Sequence, residues 1–365
     1  MRRDLRVSSN PKTSPTHIEQ DWRCRRERYW GTVFKGQGIR KIGIDPDKEV
    51  GIRFHGAAAT FVNTWVQNST MGYERRARFA AETAIDHLRT AYPNLTEPWQ
   101  TWLEAMIWAW GTRVWPELMT TYDVVSAEER IVFTREGVDY KCFPDLVLRH
   151  KVTGLLWVYD FKTFSYWDQR KWIRAVQLQI VITAVEQVNA GSPVEGSIIQ
   201  GISKGTVRED QLHHPLVFGY KREAETTTYS FRWKRGYVRF PVTAYPGGIR
   251  AWIEECPAEI VADLFPQTQP IFANRTELAH LYAQRATREL DIEAAREAET
   301  SGVSLTAAEL DELFPQNFSA CESDRFKCAM FEACHIPTVT KDPVASGLYE
   351  LRFHKEKPNA DGSKR

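Results

Sequence analysis

The hydrophobic pattern changes along the chain from a helical period to a strand period. Residues 73 to 92 and 99 to 118 carry apolar side chains at helical spacing, and strong helix formers dominate the first of these segments. From Arg130 onward the pattern becomes short β-branched and aromatic runs, which Gly137 and Gly154 interrupt. The runs lie at residues 131 to 133, 140 to 148 and 155 to 161. This succession predicts helices followed by an antiparallel meander.

The second half of the chain returns to the helical period and then to strands. Apolar residues recur at helical spacing along residues 168 to 188, and residues 196 to 202 are typical of a strand. Strand-like segments follow at 216 to 220, 227 to 233 and 237 to 242, and a charged helix is predicted from 277 to 299. We therefore predict an α/β (α+β) fold in which helices flank a central mixed sheet.

The ends of the chain are poor in apolar residues, which predicts loose termini around one globular domain. We predict a flexible N-terminus at residues 1 to 20, the domain at residues 21 to 340 and a tail at residues 341 to 365. Within the domain, the helical part covers residues 50 to 120 and the sheet core covers residues 125 to 245. The C-terminal helices and a cysteine-rich segment cover residues 270 to 336.

The charge composition leaves the class of partner open. The chain has 48 Lys and Arg against 47 Asp and Glu, so a surface that binds a polyanion must be local. It has no run of 18 apolar residues, and its first residues lack an apolar signal core. We therefore expect a cytoplasmic protein that does not bind membranes. In that reducing compartment, its six cysteines suit metal binding better than disulfides.

Two acidic residues flank a predicted hairpin in the middle of the chain. If the hairpin is symmetric about the bond between residues 152 and 153, Asp145 and Asp160 are directly opposed, with Cβ atoms ~5 Å apart. Lys162 lies on the same face as Asp160, because side chains alternate along a strand. Two carboxylates this close repel each other unless a divalent cation lies between them. The hairpin therefore predicts a metal site.

Two carboxylates and an ammonium group suit the hydrolysis of a phosphodiester. A cation lowers the pKa of an attacking water, and a positive charge beside the phosphate stabilises the transition state. The alternative is that Asp145 caps a turn and that Asp160 and Lys162 form a surface pair. The apolar run before Asp160 favours the first interpretation, because charged groups that end a buried strand more often face a cleft.

The motif Pro144-Asp145, followed by Asp160-Phe161-Lys162, resembles that of the PD-(D/E)xK nuclease superfamily. Within it, the chain is most similar to RecB-type nucleases and CRISPR-associated iron-sulfur exonucleases. The resemblance implies a restriction-endonuclease-like core and a DNA exonuclease that uses Mg²⁺ or Mn²⁺. The catalytic residues that it implies are Asp145, Asp160, Lys162 and Gln177. The implied metal ligands are His55, Asp145, Asp160 and the backbone carbonyl of Phe161.

Three positions carry the rest of the resemblance at this site. His55 resembles the family's histidine at the start of a helix, and imidazole suits Mn²⁺ better than Mg²⁺. Gln177 matches the first residue of the family's Gln-x-x-x-Tyr motif, but Val181 occupies the tyrosine position. Glu128 or Glu129 matches the family's upstream acid, and either is equally compatible with a surface position.

Four cysteines match a second feature of that family. Cys24 is followed, late in the chain, by Cys321, Cys328 and Cys334, whose spacing is looser than in most zinc modules. Four thiolates suit either Zn²⁺ or an iron-sulfur cluster, and the resemblance implies a [4Fe-4S] cluster that connects the two ends of the chain. His335 is a weaker alternative ligand. Cys142 and Cys256 are expected to be core or surface residues.

Basic and aromatic clusters predict contacts with DNA that is single-stranded or has free ends. The basic residues are Arg25, Arg26, Arg28, Arg170, Lys171, Arg174, Lys221, Arg222, Arg232, Lys234 and Arg235, and the aromatic residues are Tyr29, Trp30, Trp172, Tyr229 and Trp233. The resemblance implies a role in phage or bacterial recombination or repair, in the host cytoplasm if the protein is phage-encoded, together with a recombination partner protein. Two alternatives stay open: a catalytically inactive module that binds DNA or protein, and a zinc-stabilised protein of unrelated function.

Overall fold

A computed structural model of the chain describes residues 12–43, 46–93, 99–164, 167–169, 176–190, 192–203, 219–223, 226–233, 236–241, 254–323 and 326–352. These residues form a mixed α/β structure with mixed sheets and without a barrel. The strands are β1 (Lys12–Thr13), β2 (Ile39–Lys41), β3 (Tyr122–Ala127), β4 (Ile131–Arg135), β5 (Val138–Cys142), β6 (Leu146–His150), β7 (Leu156–Phe164), β8 (Val194–Ser203), β9 (Gly219–Glu223), β10 (Thr226–Trp233), β11 (Gly236–Pro241), β12 (Ile271–Phe272), β13 (Glu322–Ser323), β14 (Phe326–Lys327) and β15 (Tyr349–Leu351).

The α-helices precede, interrupt and follow the strands. They are α1 (Pro15–Arg23), α2 (Arg25–Arg28), α3 (Pro46–Gln67), α4 (Tyr73–Ala91), α5 (Trp99–Ala109), α6 (Trp115–Thr121), α7 (Val176–Val188), α8 (Ala258–Leu264), α9 (Arg275–Thr300), α10 (Ala307–Leu313), α11 (Phe318–Cys321), α12 (Phe331–His335) and α13 (Pro337–Lys341). Short π-helical segments at Tyr29–Val33 and Trp110–Val114 and a 3-10 turn at Phe34–Gly36 connect some of them.

The main sheet has five strands in the order β12-β8-β7-β6-β3, of which β7 and β8 are parallel and the other pairs antiparallel. The register of the β6–β7 hairpin places Leu146 opposite Tyr159 and Arg149 opposite Leu156. This is the symmetric register that the sequence predicts. Gly154 supports the turn because its φ of 71° lies in the left-handed region, which favours glycine. Continued by one residue, the register places Asp145 opposite Asp160.

Apolar side chains cover both faces of this sheet. Helices α3 to α6 pack on the face that carries Leu146, Tyr159 and Phe161, in a core rich in tryptophan and alanine. The opposite face, which carries Val147 and Val158, packs against residues of α1, α7 and α9 and against the three-stranded sheet β1-β5-β4. Because side chains alternate along a strand, Asp160 and Lys162 lie on the second face.

The structure confirms most of the predicted elements, but the strands predicted to form one meander belong to two sheets. The helical segment before residue 122, the strand around residues 196 to 202 and the long charged helix are present, and β9 to β11 form an antiparallel sheet. The meander is divided, because β4 and β5 pair in the smaller sheet whereas β6 and β7 belong to the main sheet. The helix predicted from residue 168 is described from Val176 onward, and residues 170 to 175 lie outside the described ranges.

The prediction that residues 1 to 20 and 341 to 365 are loose is wrong for part of each segment. Helix α1 begins at Pro15, where the Ser14 side chain accepts a hydrogen bond from the His17 amide. At the other end, β15 pairs with β2. The low apolar content misled us because α1 is held by buried ion pairs, among them Asp21 with Arg285 at 2.7 Å.

Candidate metal centre and cysteine site

The end of the β6–β7 hairpin brings two acidic side chains into the interior. Asp145, directly before β6, is 8% exposed, and Asp160, within β7, is 7% exposed. One oxygen of Asp145, Oδ2, accepts a hydrogen bond of 2.6 Å from the Phe161 amide. Asp160 therefore does not belong to a solvent-exposed pair, because its carboxylate is buried, as is that of Asp145.

Two further side chains complete a group that can hold a cation. His55 Nδ1 lies 2.8 Å from Asp145 Oδ1 and 3.9 Å from Glu128 Oε1. The ligand atoms of His55, Glu128 and Asp145 all lie within 4.8 Å of one another. Of the two candidate acids, Glu128 belongs to this group, whereas Glu129 is exposed. The resemblance implies a histidine at the start of a helix, but His55 lies well inside α3.

The backbone of Glu128 is strained where it meets the proline-aspartate turn. Its φ is 50°, a left-handed conformation that costs a residue with a Cβ atom ~1–2 kcal/mol. The Glu128 amide donates to the carbonyl oxygens of Pro144 and Asp145, at 3.1 Å each. These contacts fix the end of β3 against the turn that carries Asp145. Such strain concentrates at functional sites.

Asp160 has a different partner from Asp145. The Lys162 amine lies 2.5 Å from Asp160 Oδ2, so this pair forms a buried ion pair next to the group of His55, Glu128 and Asp145. The Phe161 amide between them points toward Asp145, and in an extended strand the carbonyl of the same residue points the same way. The Phe161 carbonyl is therefore directed toward the side of the strand on which Asp145 lies.

The charges of these groups shift one another's pKa values. Burial raises the pKa of Asp160, and the adjacent Asp145 adds to this against the opposing effect of Lys162. Burial also disfavours an ionised Asp145, but His55, Lys162 and the Phe161 amide outweigh it and lower that pKa. The pKa values of His55 and Lys162 are raised, because the two carboxylates outweigh burial. An additional cation would relieve the repulsion between the two acids.

Glu19 of α1 adjoins the site, and no sequence pattern had indicated it. Burial raises its pKa, and its carboxylate interacts electrostatically with Lys162 and Asp160. It also accepts a hydrogen bond from the backbone of Gln177, which connects α1 to α7. Glu19 lies five residues before Cys24 on the helix that Cys24 ends, and this spacing alone does not specify its position.

The Gln-x-x-x-Tyr motif is only partly represented here. Gln177 lies in the first turn of α7, near Glu19, and Val181 is buried in the core between α7 and the sheets. Position 181 therefore supplies no tyrosine hydroxyl to the site.

Several predicted DNA contacts are instead part of the protein interior. Arg26 bonds the Phe314 carbonyl and pairs with Asp311, Arg28 pairs with Glu289 at 3.1 Å, and Tyr29 and Trp30 are core residues. Arg25 is exposed. Residues Arg170, Lys171, Trp172, Arg174, Lys234 and Arg235 lie outside the described residues, whereas Lys221, Arg222, Tyr229, Arg232 and Trp233 lie on β9 and β10.

The four predicted cluster cysteines come together where the two ends of the chain meet. Cys24 Sγ and Cys321 Sγ each lie 3.5 Å from the backbone of Asn317, and the Cys328 amide donates to the Cys321 carbonyl. The Cys328 thiol interacts with the thiols of Cys24 and Cys321, and the Cys334 thiol with those of Cys24 and Cys328. Burial raises the pKa of Cys328 to about 11 and that of Cys334 to about 12.

One histidine lies beside these thiols, whereas the other two cysteines of the chain lie elsewhere. His335 Nε2 lies 3.4 Å from Cys321 Sγ, which keeps this histidine as an alternative ligand. Cys142 and Cys256 are buried in other parts of the core.

Comparison of the chain with protein-family models finds no match, and no curated protein is significantly similar to it. Within the described ranges, every helix is too short or too polar to cross a lipid bilayer.

Proposed function

We propose that this protein is a divalent-metal-dependent deoxyribonuclease with a restriction-endonuclease-like core, which hydrolyses phosphodiester bonds at DNA ends in recombination or repair. One observation carries the proposal: His55, Glu128 and Asp145 form a group of close ligand atoms directly beside the buried pair of Asp160 and Lys162. A surface role does not explain why the sheet buries two carboxylates, those of Asp145 and Asp160, at one strand end, since each isolated buried charge costs stability.

The donor set fits Mg²⁺ or Mn²⁺. Carboxylate and carbonyl oxygens suit both ions, and the imidazole of His55 favours Mn²⁺. His55, Glu128 and Asp145 would hold the ion, together with Asp160 and the Phe161 carbonyl. Such an ion, when bound, lowers the pKa of a water and polarises the phosphate.

The protein's own residues supply the remaining requirements of hydrolysis. The Lys162 ammonium group, held by Asp160 at 2.5 Å, would lie beside the phosphate and stabilise the charge that develops on its oxygens. Burial of Asp145 and Asp160 strengthens these electrostatic interactions, because the local dielectric is low. Two hydrogen bonds hold Asp145 in place. The Glu128 amide donates to its backbone carbonyl, and the Phe161 amide donates to its carboxylate.

We further propose that Cys24, Cys321, Cys328 and Cys334 bind a [4Fe-4S] cluster with a structural role. Their donor chemistry fits, because four thiols adjoin one another, of which Cys24 and Cys321 are buried and Cys328 and Cys334 are half-buried. Four thiolates suit either Zn²⁺ or an iron-sulfur cluster, and the similarity of the cysteine pattern to that of the iron-sulfur exonucleases favours the cluster.

The nuclease proposal is tested with end-labelled linear single- and double-stranded DNA, purified protein and Mn²⁺. We expect degradation by the wild type and a loss of at least ~100-fold in Asp160→Ala and Lys162→Ala, because each removes transition-state stabilisation. Asp123→Asn, an exposed acid on β3 of the same sheet, is the matched control and should be as active as the wild type. Equal degradation by all four proteins would indicate a contaminating nuclease and refute the proposal.

A further inference from the structure

A cavity of about 390 Å³ opens beside the proline-aspartate turn. Its walls are the first turn of α1, the end of β5 with the residue that follows it, and the start of α7. The side chains that matter for its chemistry are Thr16, His17, Lys141, Phe143 and Gln177. We call it the α1 cavity.

The α1 cavity adjoins the candidate metal centre along two walls. Phe143 precedes Asp145 by two residues of non-helical chain, so the two side chains originate within ~7 Å of each other. On the other wall, the backbone of Gln177 bonds Glu19, whose carboxylate interacts with Lys162. A molecule in this cavity would therefore lie next to a phosphodiester bond at the metal centre.

The lining of the α1 cavity suits an anion that also has an aromatic face. Among the described residues, those that line it include a lysine, a histidine and an amide and no carboxylate, and α1 has no acidic residue in its first turn. The positive end of the α1 dipole therefore adds to the charge of Lys141. His17 is half-buried and lines the cavity. The Phe143 ring, with the Lys141 amine 5.4 Å from its centroid, offers a surface for stacking.

We propose that the α1 cavity holds one unpaired nucleotide of a DNA strand, adjacent to the bond that is cleaved. The phosphate would face Lys141 and the start of α1, and the base would stack on Phe143. A volume of about 390 Å³ lies within the range for small-ligand sites, ~300 to 1,000 Å³, and suits a single nucleotide. The inference rests on the proposed nuclease function, and it specifies single-stranded ends as the substrate.

The test measures KM and kcat on a labelled oligothymidylate with Mn²⁺. We expect Lys141→Ala and Phe143→Leu to raise KM by about tenfold with little change in kcat, because they remove binding that is equal in ground and transition states. Lys341→Ala, at an exposed position on α13, is the matched control and should leave both constants unchanged.

A second variant fills the α1 cavity from its rim without disturbing the core. Thr16 is exposed, so Thr16→Trp should fold normally and block the cavity. We expect kcat/KM of the wild type to be about tenfold higher for the single strand than for a blunt duplex whose ends are cross-linked. Thr16→Trp should lose this preference. If Lys141→Ala and Thr16→Trp both show wild-type KM on the single strand while Asp160→Ala is inactive, the cavity inference is overturned and the nuclease proposal stands. An active Asp160→Ala would instead overturn the nuclease proposal.

Discussion

At the scale of single residues, Glu128 combines strain, a negative charge and a position at the candidate centre. Its left-handed backbone and the proximity of its carboxylate to that of Asp145 both oppose stability in the absence of a cation, whereas His55 partly offsets the repulsion. Residues with this balance are typical of sites where function is retained at the expense of stability.

We predict that Glu128→Gln weakens Mn²⁺ binding and leaves the stability of the metal-free protein almost unchanged. The substitution removes a repulsion by Asp145 and also an attraction by His55, 3.9 Å away, and the Coulomb energy of one such charge pair in water is only about 1 kcal/mol. Denaturant unfolding without metal and calorimetric titration with Mn²⁺ measure the two effects. Glu129→Gln, at the exposed neighbouring position, is the control. Mn²⁺ binding as tight as in the wild type would contradict this account of Glu128.

Sequence reasoning at this scale succeeded where a rigid backbone fixes geometry. The opposition of Asp145 and Asp160 followed from hairpin symmetry, because a ladder leaves no freedom of register once one face is buried. Glu19 was missed because it reaches the site through the packing of α1 on α7, a long-range contact without a local pattern. Arg26 and Arg28 were misassigned because sequence does not reveal when a basic residue has a buried acidic partner.

At the scale of elements, α1 connects the cysteine site to the candidate metal centre. Cys24 ends this helix, Glu19 contacts the centre, and Asp21 between them pairs with Arg285 and Arg288 of α9. The elements themselves were mostly predictable, since β-branched runs and helical periods are local signals. The division of the meander between two sheets was not, because strand partners depend on the whole core.

We predict that Cys24→Ser removes the broad absorbance near ~400 nm that a [4Fe-4S] cluster gives the wild type. The variant should also be less stable, because the bonds that close the loop between the two ends of the chain are lost. Visible absorbance, iron content and denaturant unfolding measure these changes, with Cys256→Ser as the control at a buried cysteine elsewhere in the core. Colourless wild-type protein with one equivalent of zinc would contradict the cluster.

At the scale of the whole molecule, the two ends of the chain are joined by a network of buried charges. Asp21 pairs with Arg285 and Arg288, and Glu289 pairs with Arg285 and Arg28. Burial would raise the pKa of Asp21, but the hydrogen bonds and charges of the two arginines outweigh it, so that pKa is lowered. The stabilisation by Asp21 is therefore complete above the pKa of the unfolded chain, near 3.8, and is lost as the pH falls through the lower folded value.

We predict that Asp21→Asn lowers the free energy of unfolding at pH 7 by about 3 kcal/mol, because it leaves two arginines without a buried acidic partner. The difference from the wild type should shrink as the pH is lowered below about 4, where Asp21 takes up a proton in the unfolded chain before it does so in the folded protein. Denaturant unfolding of both proteins between pH 3 and pH 7 measures this difference in the free energy of unfolding. A difference that stays constant over this range would show that folding does not lower the pKa of Asp21.

The location of Mn²⁺ in crystals grown or soaked with that ion tests the central claim most directly. The account predicts an anomalous peak within ~2.2 Å of carboxylate oxygens of Asp145 and of Asp160 or Glu128, with His55 as a nitrogen ligand. The peak should be absent from crystals of Asp145→Ala. Saturating Mn²⁺ without a peak between these side chains, or with an unchanged peak in the variant, would contradict the claim that they form a metal centre.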